Sequence, residues 1–446
     1  MRTVVLTLLL LIASAAVAQL GLPAVRLPPL PGVTLPNLPA GGLDIDNSAA
    51  ALAGEVDPRR LRELRALRIR ELLRRHRDVL EADPHGAPMV RGEVLALSPS
   101  TAALRAAGAA GFSVVRESVS AETGTRVVVL HAAGSTARAL ARLQGLDPAG
   151  VYDFNHLYTD GGAVGLAADP GAAQPAPAPG AVARAPGAQG VAAIRIGLID
   201  SGVDVSHEVF SGITVQQHGC ARAVPAEHGT AVASLMVGRA SALHGAAPGS
   251  TLYAVDVFCG LPTGGAVDSV AEAFAWLLRE QVPVINVSLV GPPNRTLAGV
   301  VQNVLARGHL VVAAVGNDGP AAPPLYPAAW PGVVGVTAVD ARRQVLVEAL
   351  RGPQVRFAAP GADMAAARSH QAYALVRGTS FASPIVAGLL ALELPTPDES
   401  AAQQAVAALA RRAVDLGAPG LDPVYGHGLV GADLRQQPAL ARLGAH

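Results

Sequence analysis

The sequence predicts an α/β protein: a mostly parallel central sheet with helices on both faces, preceded by a small α+β domain of ferredoxin-like strand order. Three observations predict this. From Ile194 onward, short continuous apolar runs alternate with alanine-rich helical stretches, as in strands buried on both faces and joined by helical crossovers. Residues 89–160 read as strand, helix, strand, strand, helix, strand. An Ala/Pro/Gly tract without apolar periodicity separates the two regions.

The 446 residues are half hydrophobic and only 15% charged, enough to bury a large core in more than one domain. Every basic residue is arginine, and the formal net charge is zero, which gives no electrostatic reason to expect nucleic acid as a partner.

Residues 1–18 read as an export signal: Arg2, an apolar stretch from Val4 to Ile12, then Ala16-Val17-Ala18 as a small-residue cleavage site. That stretch is shorter than the roughly 20 residues a bilayer span needs, so a periplasmic or secreted destination is expected. Residues 19–56 form a low-complexity lead-in rich in Pro, Leu, Gly and Ala.

The α+β domain is expected over residues 57–160. Asp57 can cap a helix whose first turn suits Pro58. The helix carries nine arginines between Arg59 and Arg77, with Leu61, Leu64, Leu67, Leu72 and Leu73 on or near one side. It reads as a solvated helix covering a neighbouring domain with its leucines, rather than a membrane-surface helix. Strands are expected over 90–97, 112–119, 126–131 and 151–158, with helices over 101–110 and 135–143. The linker, residues 161–192, should be extended and open to proteolysis.

The last domain, residues 193–446, has candidate strands over 194–199, 252–258, 284–289, 310–315 and 333–339. Open parallel sheets bind ligands outside the carboxyl ends of their strands, where Asp200 and Asn317 fall. Two cysteines in an exported chain are candidates for a bridge; Cys220 and Cys259 would close a loop worth up to about 4 kcal/mol in the chain-entropy model. Their spacing to His218 or His228 matches no common metal-ligand pattern.

Asp200 ends its apolar run and is followed by Ser201-Gly202. His228 precedes Gly229-Thr230 and a helix expected over 231–238. Ser380 lies between Gly378-Thr379 and the apolar run from Phe381, with Pro384 placed to fit a first helical turn. Near a helix N-terminus, the Ser380 N–H and the helix field favour a developing oxyanion. An acid, an imidazole and a hydroxyl together make a serine nucleophilic at neutral pH. Taken alone, each has a blander use: a turn former, one of twelve histidines, a helix cap.

In the order Asp, His, Ser, with the serine just ahead of an apolar helix, these segments resemble the subtilisin-like serine proteases, the subtilases. The resemblance spans about residues 193–435 and implies the subtilisin-like fold. It implies that the α+β domain is an inhibitory propeptide and that Asn317 is a second oxyanion donor. Ser288-Leu289-Val290-Gly291 becomes the edge on which a peptide lies as an added strand. Ala313, Ala314, Val315 and Gly316 become a wall of the pocket for the side chain before the scissile bond, with Leu325 beside it. That pocket should be shallow and prefer small apolar residues. Arg377 departs from the family pattern, which has a small or polar residue there. The stretch 239–244 lacks Asp, Asn and Glu, so no calcium is expected at the loop where these proteases often hold one; no cofactor is expected, and the sequence leaves calcium sites outside that loop open.

The function so implied is an exported, self-processing, monomeric serine endopeptidase. Its partners are a protein or peptide substrate and its own propeptide. A catalytically inactive binding protein of the same fold and an esterase are the alternatives. An esterase would carry Gly-x-Ser-x-Gly after a strand with its histidine last in the chain, and Ser380 has neither.

Overall fold

The computed structural model describes residues 58–160, 163–164, 194–241 and 243–442; the expected signal, the lead-in and nearly all of the linker lie outside them. All described residues fall in one compact unit, Asp44–His446.

The arginine-rich helix is α1 (Pro58–Arg75). There follow β1 (Leu80–Ala82), β2 (Pro88–Leu97), α2 (Thr101–Ala109), β3 (Ser113–Ser120), β4 (Thr125–His131), α3 (Thr136–Leu146) and β5 (Val151–His156). Ser100 and Ser135 cap α2 and α3, their side chains accepting from Ala103 N and Arg138 N. The strands lie in the order β3-β4-β2-β5, all antiparallel, with β1 added against residues 88–90 of β2. This is the split arrangement the sequence predicts.

Side chains alternate between the two faces of this sheet. Val94, Ala96, Val128 and Leu130 meet α2 and α3. Leu95, Val127 and Val129 point the other way and join the core beneath two later helices, α5 and α6 below. Leu72 and Leu73 of α1 pack near Leu80, Val90 and Leu157, while Leu67 is exposed. Leu61 and Leu64 are half-buried as well, so Leu67 alone of the five leucines on that side is exposed.

Two short strands follow, β6 (Thr159–Asp160) and β7 (Ala163–Val164). The remaining elements are β8 (Arg195–Asp200), β9 (Val215–His218), α4 (Glu227–Val237), β10 (Thr251–Asp256), α5 (Val267–Arg279), β11 (Val284–Val287), β12 (Leu289–Val290), α6 (Arg295–Leu305), β13 (Leu310–Ala314), β14 (Val334–Val339), β15 (Val355–Pro360), β16 (Met364–Arg368), β17 (Ala372–Arg377), α7 (Thr379–Ala391) and α8 (Glu399–Arg412).

Seven of these strands form the central sheet in the order β15-β14-β13-β11-β8-β10-β9, and every neighbouring pair is parallel. Ile196, Leu198, Val284, Leu310 and Val312 face the core containing α4 and α7. Ile199, Ile285, Val311 and Ala313 face the core containing α5 and α6. Both faces are covered, as the continuous apolar runs require. The chain leaves β8 toward β10 on one side and later builds β11, β13, β14 and β15 on the other. β8 is the switch point of the sheet, and Asp200 stands at its carboxyl end.

The local expectations needed three corrections. Helix α4 begins at Glu227, not Ala231, so His228 sits inside its first turn. A Cβ at Gly229 would come within 2.1 Å of Ser201 O, so close approach demands glycine in that turn. Pro384 is not in the first turn of α7 but deeper inside the helix. The apolar run 284–289 breaks at Ser288 into β11 and β12.

Cys220 and Cys259 are bonded, with Cα atoms 5.5 Å apart. The backbone N–H groups of Phe258 and Cys259 donate to Asp256 Oδ1 at 2.9 and 3.0 Å. Asp256 also stands directly opposite Asp200 in the β8–β10 register. Burial, and secondarily the Asp200 charge, push the Asp256 carboxyl above its ordinary value.

Two outcomes are expected. Replacing both cysteines with serine should lower the unfolding free energy by about 2 to 4 kcal/mol, read from the denaturant midpoint with native far-UV circular dichroism retained. For Asp256→Asn, the new amide keeps the acceptor oxygen and removes a penalised charge. An acid whose folded pKa is raised costs nothing while protonated in both states, and the full penalty applies only above its folded value. The variant should therefore gain melting temperature near neutral pH, with the gain shrinking toward about pH 4. Equal gains at both pH values would rule out this electrostatic account.

Candidate active site

Asp200 is fully buried and His228 nearly so. Asp200 Oδ1 and Oδ2 lie 2.8 and 3.1 Å from His228 Nδ1. Oδ1 also accepts from Ser201 N at 2.7 Å and Ser201 Oγ at 3.1 Å, while Ser201 Oγ accepts from Gly229 N at 3.0 Å. Ser201 thus ties the carboxylate to the turn of α4 that carries His228. A carboxylate on Nδ1 sets the tautomer with Nε2 as the basic nitrogen.

Ser380 is the second residue of α7 and is fully buried. The preceding Gly378 has φ 136°, a conformation that disfavours any side chain. His228 packs at 5.4 Å between ring centroids against Phe381, the residue after Ser380. Helix α7 therefore brings Phe381, the residue after Ser380, against the ring of the histidine that meets the β8 aspartate.

Pro384 explains part of that placement. Having no N–H, it leaves the carbonyl of Ser380, four residues earlier, without its helical donor. Ser288 Oγ supplies one at 3.0 Å. Ser288 Oγ also lies 3.1 Å from Ser383 Oγ and accepts from Asn286 Nδ2 at 2.9 Å. Ser380 Oγ in turn lies 3.4 Å from Ser288 O. Asn317 Oδ1 accepts from Thr379 N at 3.1 Å, and Thr379 Oγ1 accepts from Gly316 N at 3.1 Å. The Asn317 amide oxygen is thus bound at the head of α7.

The residues expected to bind substrate fall on the neighbouring strands and loops. Leu289 and Val290 form β12, and Gly291 pairs with Tyr326. Ala313 and Ala314 end β13, with Val315 and Gly316 following. A Cβ on Gly316 would come within 2.5 Å of Leu325 Cδ1, so Leu325 fills the space beside that wall. Arg377 is held by Glu348 at 2.9 Å.

The edge expected to receive a substrate carries a strand of the chain itself. β6 lies antiparallel on β12, and β7 antiparallel on β17. Sequence reasoning did not foresee this, nor the structural duties of Ser201, Ser288, Asn286 and Thr379. The only local signal was the presence of polar residues inside otherwise apolar runs, such as Asn286 and Ser288.

A sequence model of the subtilase family matches residues 192–428. Subtilisin DY from Bacillus licheniformis is 31% identical over 255 residues, covering 55% of this chain and 92% of that protein. Subtilisin Savinase from Lederbergia lenta is 34% identical over 260 residues, covering 55% and 94%. The minor extracellular protease Epr from Bacillus subtilis is 30% identical over 244 residues, and the chain spans only 37% of its length. Among solved structures, fervidolysin from Fervidobacterium pennivorans shares the fold with a TM-score of 0.64 at 21% identity, covering 78% of this chain and 61% of that one. With the parallel sheet and the Asp200–His228 pair in view, the conclusion is that this chain belongs to the subtilase family and is a serine endopeptidase.

Proposed function

We propose that the chain is an exported, self-processing endopeptidase acting through Asp200, His228 and Ser380, with Asn317 and the Ser380 N–H as oxyanion donors. The observation that carries this reading is the buried Asp200–His228 contact of 2.8 Å, made beside the residue that follows Ser380. Ser380 Oγ attacks the peptide carbonyl while His228 takes its proton. His228 then protonates the leaving amine, Asp200 stabilises the imidazolium, and water releases the acyl group from Ser380.

The domain limits follow the same reading: a signal over 1–18, a propeptide over 57–160, a linker over 161–192 and a catalytic domain over 193–446. The α+β unit is suited to inhibit in cis, because its trailing strand β6 occupies the β12 edge. Export rests on the sequence of residues 1–18. Among the described residues no helix is long and apolar enough to cross a membrane.

A fluorophosphonate should label the processed enzyme at Ser380 and leave Ser380→Ala unlabelled. The alanine variant should lose on the order of 10⁶ in turnover on casein, the loss established for a subtilisin. Asn317→Ala should lose roughly 10² to 10³, again a subtilisin's figure, with the effect in kcat rather than KM. Hydrolysis of a simple ester with casein left intact would favour the esterase alternative.

A peptide library should show Gly or Ala preferred before the scissile bond, and Leu325→Ala should extend acceptance to Leu and Phe. A wild-type preference for Arg or Phe there would overturn the shallow-pocket reading.

A further inference from the structure

Two ladders converge on Ser380 from opposite sides. On one, Thr159 stands opposite Val290 and Asp160 opposite Leu289. On the other, Ala163 stands opposite Arg377 and Val164 opposite Val376. Only two residues, Gly161 and Gly162, join the ends of these strands.

The register of the first ladder is pinned upstream. Leu157 bridges Ala266, and Tyr158 N donates to Gly265 O at 2.8 Å, so the segment is held between two edges. The Tyr158 ring is fully buried against Gly291, where a Cβ would come within 2.7 Å of it, and its hydroxyl donates to Pro292 O at 2.7 Å. A slip of one residue would turn that ring to the opposite face.

Both ladders end on residues close to Ser380. Leu289, the partner of Asp160, follows Ser288, whose carbonyl oxygen lies 3.4 Å from Ser380 Oγ. Arg377, the partner of Ala163, precedes Gly378, two positions ahead of Ser380. The bond in the middle of the two-residue join is the one equally distant in sequence from both ladders. We propose that the first self-processing cut falls between Gly161 and Gly162, an inference that rests on the endopeptidase reading above.

Ser380 Oγ bonds to the Gly161 carbonyl carbon while its proton passes to His228. The bond to the Gly162 nitrogen breaks, and that nitrogen takes the proton. Water then hydrolyses the Ser380 ester, leaving a Gly161 carboxylate and restoring the hydroxyl. Glycine at 161 suits a pocket that Leu325 has made shallow.

The test is a time course of the full chain, read by intact mass and N-terminal sequencing. The first new amino terminus should begin Gly162-Ala163-Val164, with a complementary fragment ending at Gly161, and Ser380→Ala should yield neither. A synthetic peptide of residues 157–165 should be cut in trans by the processed enzyme between Gly161 and Gly162. Its Gly161→Val analogue should be cut at least about tenfold more slowly, a readout independent of precursor folding.

If the enzyme labels at Ser380 and hydrolyses casein but its first cut lies elsewhere, the assignment of the bond is overturned and the protease reading stands. A peptide cut at another bond overturns it equally. If neither labelling nor casein hydrolysis occurs, the endopeptidase reading fails and takes this inference with it.

Discussion

The position of the first turn of α7 is the constraint on which the site depends. That turn is bound by side chains or backbone from two loops on the carboxyl side of the sheet. Ser288 donates to the Ser380 carbonyl, Asn317 accepts from the Thr379 N–H, and Thr379 accepts from the Gly316 N–H. Each such bond contributes only about 1 kcal/mol net, but an orphaned buried partner costs more. Nearly every residue of α7 is buried, so the helix cannot tilt without disturbing the core it shares with β13, β14 and β15. Ser380 is therefore placed by the whole sheet. Pro384 frees the carbonyl that Ser288 takes, so a residue that weakens a helix here anchors one.

Much of this was legible in the sequence, for reasons that can be stated residue by residue. Apolar runs such as 310–315 are long enough to mark buried strands, and Asp200, His228 and Ser380 each stand in a short diagnostic context. The start of α4 is less legible: Gly229 in its first turn is unfavourable to helices by propensity, and its reason for being there lies in Ser201, far away in the chain. Asp256 was missed because only the β8–β10 register places it opposite Asp200. The β6 and β7 pairings were missed for a related reason. Two-residue strands have no periodicity to detect, and their partners lie more than a hundred residues further on.

The α+β unit is more than an appended domain. Its helices cover one face of its sheet, and the other face, with Leu95, Val127 and Val129, has no helix of its own. α5 and α6 close it, within a polar surround that is itself paired. Arg116 reaches Glu93 and Asp268, Asn155 joins the same two carboxylates, and Asn294 bonds Phe154 O and His156. The unit also touches the site's rim through α1, where Arg65 lies 3.0 Å from Asp318. Burial raises the Asp318 carboxyl pKa, and Arg65 counters that shift. This puts an ion pair from the first helix next to Asn317, whose amide oxygen braces the head of α7.

On the self-processing reading proposed above, these contacts bear on how one segment can serve first as substrate and then as inhibitor. The two sides of the bond between Gly161 and Gly162 are held very unequally. Upstream, Tyr158 is fully buried, Leu157 and Tyr158 pair with the 265–266 edge, and the sheet behind them shares a core with α5 and α6. Downstream, the described pairing is limited to two residues on β17. Cutting the bond removes the covalent link that kept the downstream strand at high effective concentration. The upstream strand loses nothing, because its anchors all lie at or before Asp160. On the proposed reading the amino-terminal product stays on β12 after the cut, and release from inhibition requires the α+β unit to leave or be degraded.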